Sequence, residues 1–148
     1  MAIKISWPRL LAAAIAYLVI AQVVYMLGIF ADIAYYMDPA YSAVWSKLMM
    51  PSAGPPPIEF TMASMAFQFI AGLLFTVVYA VVRPSVPGKG WKNKGLMYGF
   101  LVFLIAGIPF TLTLVLLINL PYALLLSWML QGLFVYLLAG LAAARILK

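Results

Sequence analysis

Side chains able to do chemistry are few in this 148-residue chain: three acids, nine lysines and arginines, and no cysteine or histidine. Without thiol or imidazole there is no disulfide, no thiolate nucleophile, no imidazole ligand for zinc or haem, and no proton carrier that titrates unaided near neutral pH. The acids are Asp32, Asp38 and Glu59. Asp32 and Glu59 stand at the expected outer ends of neighbouring apolar segments, where two carboxylates could meet for acid and base work, or hold a divalent cation with Asp38. Charges placed beside water are more simply read as solvated boundary markers. With no further nucleophile or base, a non-enzymatic protein is expected and no cofactor is assigned.

Soft-metal chemistry is the next candidate. Met49, Met50, Met62 and Met65 fall on the expected outer side, and Met62 and Met65, at i and i+3, share one helix face. Thioethers suit Cu(I), but methionine is also a general filler of apolar packing, and that reading is preferred in a chain without cysteine or histidine.

Uncharged polar chemistry is better represented. Gln22, Gln68 and Gln131 each occur inside an apolar run, at expected depths of roughly 12–15 Å below the outer boundary at 1.5 Å per residue. Thr111 and Thr113 come to about the same height. Amides facing lipid are costly, so these groups should face one another as interhelical contacts or line a wet pocket for a neutral solute.

Small residues recur at contact spacing: Gly72 in an i+4 stripe, Gly95 and Gly99 as a GxxxG pair, Gly132 and Gly140 in a third stripe. They are expected to pack helices closely, within one bundle or between copies. The segment holding Arg83, Lys89, Lys92 and Lys94 has no glycine spacing of a phosphate-binding loop and no Ser or Thr after its lysine. Its charges should meet anionic headgroups and fix topology, with no nucleic acid as partner.

The elements that position these groups follow from composition. With 68% apolar and 8% charged residues and a mean hydropathy of +1.13, the chain cannot clothe a core in polar surface, so part of its outside must face hydrocarbon. The expected fold is an all-α integral membrane protein of one domain, a four-transmembrane-helix bundle. Apolar runs place the spans at about 10–34, 60–82, 95–118 and 121–144. The first run is longer than the roughly 7–15 apolar residues of a cleavable signal, so it reads as an anchor. Between spans one and two lies an outer segment, 35–59, in which Asp38-Pro39 should start a short helix. Its Tyr41, Val44, Trp45, Leu48 and Met49 share one face and should lie on the membrane surface. A basic cytoplasmic loop, 83–94, joins spans two and three, and Pro109 should kink the third.

Eight of the nine cations fall on one side of this topology, with Lys47 and all three acids on the other. Basic loops stay cytoplasmic, so both termini should be cytoplasmic, in what reads as a prokaryotic inner membrane. The expected function is non-catalytic: an accessory or scaffolding membrane subunit acting through helix contacts with itself or a larger complex, with lipids as its other partners. The alternative is a small-solute transporter or channel using the Gln and Thr layer, and a Cu(I)-binding protein is the third reading.

Overall fold

The computed structural model describes residues 6–45 and 57–148. Every element among them is helical: α1 (Trp7–Tyr36), a 3-10 turn (Pro39–Tyr41), α2 (Ile58–Val82), α3 (Gly90–Leu117) and α4 (Tyr122–Ile146). All four long helices are long and apolar enough to cross a membrane. The shortest have 25 residues and reach about 37 Å at 1.5 Å per residue, against roughly 30 Å of hydrocarbon. Much of their apolar surface points outward. In α3, Ile105, Leu116 and Leu117 are largely exposed, a surface that hydrocarbon covers without penalty and water does not.

α4 lies between α1 and α3 and packs along both, while α2 packs on α1. Missing side chains explain how close these approaches are. A Cβ at Gly95 would sit 2.6 Å from the Gly140 carbonyl oxygen, and one at Gly99 would run into the Tyr136 carbonyl. A Cβ at Gly72 would sit 2.9 Å from the Ala14 carbonyl oxygen. On α1 the matching stripe is Leu10, Ala14, Tyr17, Ala21 and Gly28, all buried, and mostly small residues that let backbones approach in lipid.

α2 and α3 meet through aromatic side chains. The Phe75 ring lies 4.7 Å from Tyr98, 5.3 Å from Tyr17 and 6.1 Å from Tyr136, measured between centroids. The Tyr98 hydroxyl donates to the Phe75 carbonyl oxygen at 2.6 Å, so a polar group in an apolar cluster is satisfied. This cluster fills the half of the bundle nearer the termini.

The other half is looser, and Pro109 is the local cause. A proline ring lacks an N–H and would strike the carbonyl four residues back in a regular helix. The chain instead forms a π segment over Phe103–Gly107, closed by the Ile108 N–H donating to the Phe103 carbonyl. Gly107 makes room for the buried Phe103 ring, which a Cβ there would meet at 2.6 Å. Beyond this turn, Ile108–Leu117 contributes no buried residue. The expected interruption of the third helix is therefore a π bulge, a usual relief of such a clash.

Asp38 starts the 3-10 turn as expected, its side chain accepting from the Ala40 N–H at 2.9 Å. Tyr41, Val44 and Trp45 do share an apolar face, but it packs on Leu120, Leu124 and Leu125 at the α3–α4 turn. The face expected to meet the membrane surface is thus occupied by protein over its described residues: an apolar stripe beside an exposed helix end buries itself on protein first. The rest of the expected surface helix, with Lys47, Leu48, Met49 and Met50, lies outside the described residues.

Termini of all four helices gather at the opposite, basic end. Gly88 and Gly90, with φ of 122° and 74°, turn the chain into α3, conformations that a side chain disfavours. α3 begins five residues before the expected span, so Lys92 and Lys94 ride on its first turns. The Arg9 Nη1 donates to the Lys148 carbonyl at 3.0 Å, and Arg83 donates to the Leu147 carbonyl. Two guanidiniums from α1 and the end of α2 thus satisfy carbonyls at the C-terminus of α4, where the helix dipole favours cations.

Candidate functional site

The polar side chains of the bundle form two separate groups rather than one layer. Gln22 Nε2 donates to Gln68 Oε1 at 3.2 Å, joining α1 to α2. Gln131 takes a different partner: its Nε2 donates to Asp32 Oδ2 at 3.0 Å, joining α4 to α1. Ser127 Oγ donates to the same oxygen at 2.9 Å, and Gln131 Nε2 stands 3.2 Å from Ser127 Oγ. Helical geometry accounts for the division. Gln22 and Asp32 are ten residues apart, which turns them about 80° around α1 and about 15 Å along it. Gln22 faces α2, and Asp32 faces α4.

Asp32 is only 4% exposed. It is not the solvated boundary charge expected from its position, because α1 runs on to Tyr36 and its buried stripe continues from Gly28 to Asp32, one turn later. Gly28 is part of the arrangement. A Cβ there would collide with the Gln131 amide, so the absent side chain is what admits Gln131 to the carboxylate. The small-residue sites Ala14, Ala21 and Gly28 recur every seven residues, and one further turn along that face gives Asp32. That periodicity was the available signal for its burial.

Beside this group lies a cleft of about 490 Å³ between α1, α3 and α4. Tyr25, Ile29 and Tyr36 form the α1 wall, and Gly107, Phe110, Thr111 and Leu114 the α3 wall. α4 supplies Trp128, Gln131, Gly132 and Tyr136. Trp128 Nε1 donates to the Tyr36 hydroxyl at 3.0 Å, tying two lining aromatics together next to Asp32. The Tyr36 ring also packs on Trp45 at 5.1 Å. At its inner limit the cleft stops at Tyr136, which stacks on Phe75 of the aromatic cluster.

Gly132 does not pack a helix as expected: nothing stands within 4 Å of a Cβ placed there, and it borders the cleft instead. The divergence of α3 beyond its π segment leaves that space. Gly72, Gly95, Gly99 and Gly140 are in close interhelical contact, as their spacing requires. Thr111 lines the cleft and donates to the Gly107 carbonyl at 3.0 Å, whereas Thr113 is exposed on the outer face and donates to the Pro109 carbonyl at 2.9 Å. The two threonines therefore do not act at one place.

The other candidate groups stay apart. Glu59 is exposed on the first turn of α2, and Asp38 is occupied as a cap. Among the described residues no three His, Cys, Asp or Glu side chains gather to hold a metal. Met62 and Met65 are exposed on α2, and their proposed counterparts lie outside the described residues. At the basic end, Lys92 Nζ, Arg145 Cζ and Lys148 Nζ stand 5.7, 5.3 and 5.4 Å from the centre of the Trp91 ring. Lys94 Nζ donates to the Arg83 carbonyl at 2.9 Å, and Lys89 is exposed in the turn before α3. Comparison of the chain with protein-family models, with curated proteins and with solved structures gives no match.

Proposed function

We propose that this chain is a non-catalytic membrane protein that binds a small solute in the cleft between α1, α3 and α4. The observation that carries this reading is a buried carboxylate, held by Ser127 and Gln131, directly behind the cleft wall. An ionisable side chain within a membrane helix is costly and in general marks a binding or translocation site. Clefts of roughly 300–1,000 Å³ with apolar walls and a few converging polar groups are the usual form of small-molecule sites.

The basic residues would place their own end in the cytoplasm, so the cleft would open from the opposite leaflet. Close contact of Gly95 with Gly140 and the aromatic cluster close the half at the basic end. An open pore is therefore disfavoured relative to a binding protein, or to a carrier whose α3 and α4 separate during transport.

Cysteine accessibility tests the reading, since the chain has no native thiol. Cysteine at Gly132 or Thr111 should react with a membrane-impermeant thiol reagent added to the side away from the basic end, while cysteine at Thr113 stays unreactive. Lack of reaction at both cleft positions from either side would refute a solute-accessible cleft.

An accessory role through helix contacts is the second reading. The glycine stripes that would serve it are largely occupied by contacts within the chain. What favours it is α2, whose fully buried residues all lie from Gly72 onward and whose first half exposes Phe60, Met62, Phe67 and Ile70. Crosslinking of cysteines placed at Phe67 and Ile70 in native membranes would detect a partner on that face.

A further inference from the structure

The chemical class of the cleft's ligand follows from a carboxylate beside it that no cation among the described residues reaches, and this inference rests on the solute-binding reading above. We propose that the cleft takes an organic monocation, an ammonium carried on a small apolar body, with Asp32 as its counter-charge, the rings of Tyr36 and Trp128 beside the ammonium and those of Tyr25 and Tyr136 deeper in the cleft.

Three observations converge. First, Asp32 is buried and its hydrogen-bond partners are both neutral. Hydroxyl and amide donors solvate a carboxylate but leave its net charge in place, and a buried charge without an opposite one is strongly disfavoured. Among the described residues no lysine or arginine reaches it. Arg9, on the same helix, is about 35 Å away along the axis, and the other described cations sit with Arg9 at the basic end.

Second, the carboxylate is in register with the cleft. Gln131, which donates to it, is a lining residue, and so are Tyr36, one helical turn beyond Asp32, and Trp128, next to Ser127 in sequence. Third, the lining contains four aromatic side chains of the two helices that flank the carboxylate, and no cation. Ring faces attract ammonium groups through their quadrupole, and most effectively when water is excluded. A neutral solute would use the rings and leave the carboxylate unpaired, whereas an anion would be repelled. Of these three ligand classes, a cation answers both the carboxylate and the rings.

Choline and its uncharged carbon isostere, 3,3-dimethylbutan-1-ol, form the test pair. Binding to the 148-residue chain in maltoside micelles is followed by Trp128 fluorescence in a Trp7→Phe, Trp45→Phe, Trp91→Phe background, which leaves Trp128 as the one tryptophan. Choline should bind at least about tenfold more tightly than the alcohol, and Asp32→Asn should abolish that preference. Trp128→Leu, which keeps the carboxylate, should lower choline affinity more than alcohol affinity; there the signal is competition against radiolabelled choline. This second variant keeps the test decisive if Asp32→Asn fails to fold.

Equal binding of choline and the alcohol would overturn the cation assignment and leave the solute-binding reading standing. Choline affinity unchanged in Asp32→Asn or in Trp128→Leu would overturn it as well. If neither compound binds while cysteine at Gly132 reacts with the thiol reagent, the ligand class is wrong. If cysteine at Gly132 is also unreactive, the cleft reading falls first and takes this inference with it.

Discussion

Replacing Gly28 by alanine puts a methyl group where the Gln131 amide now sits. What it meets is the far end of a flexible side chain, so the backbone need not move; the amide swings away and its hydrogen bond to Asp32 is lost. A hydrogen bond to a charged group contributes about 1.5–3 kcal/mol. Alanine in place of glycine within a helix returns about 1 kcal/mol. Gly28→Ala should therefore destabilise the chain by about 0.5–2 kcal/mol. In a Gln131→Ala background the collision and the lost bond are both absent, and the same substitution should stabilise by up to about 1 kcal/mol. The double-mutant cycle, measured by reversible denaturation in mixed micelles, should thus give a coupling of about 1.5–3 kcal/mol between positions 28 and 131. Gly28→Ala effects of the same sign and size in both backgrounds would refute the claim that this glycine exists to admit Gln131.

Further outcomes follow from the same geometry. Gly95→Ala meets the Gly140 backbone, which cannot swing aside, so it should part α3 from α4 and lower the melting temperature, while Gly132→Ala, facing open space, should be neutral or stabilising by about 1 kcal/mol in the same thermal scan. Gln22→Leu or Gln68→Leu removes one exchange between neutral amides and should cost on the order of 0.6 kcal/mol, with thiol reactivity at cysteine 132 unchanged. Thermal stabilisation by phosphatidylglycerol relative to phosphatidylcholine should shrink when Lys89, Lys92 and Lys94 are replaced by glutamine, by about 1 kcal/mol for each charge that contacts headgroups; an unchanged lipid preference would remove these residues as a headgroup contact.

Features fixed by one helix alone were legible in the sequence. Apolar run length located the four long helices, Asp38-Pro39 marked its turn, and Pro109 marked the interruption of α3. Glycine pairs at i+4 identified the closest approach, because without side chains nothing else can occupy that contact. Features that depend on how two helices register were not legible. Depths counted from assumed boundaries placed Gln22 level with Gln131, yet α1 runs on to Tyr36, and Gln131 meets Gly28 and Asp32 instead. Charge suggested that Asp32 ends its span, although the seven-residue recurrence of small residues before it points into the bundle. Gly132 shares its stripe with Gly140, and only the bulge in α3 separates their roles by opening a gap opposite one of them.

That bulge stores one extra residue relative to an uninterrupted α-helix. Every position beyond Gly107 is consequently out of phase with Gly95 and Gly99 by about 100°, the angle one residue subtends. Thr111 owes its inward direction to this offset. Deleting one residue between Phe103 and Gly107 would rewind the helix and carry that hydroxyl round the axis, so a single codon sets which chemistry the third wall presents.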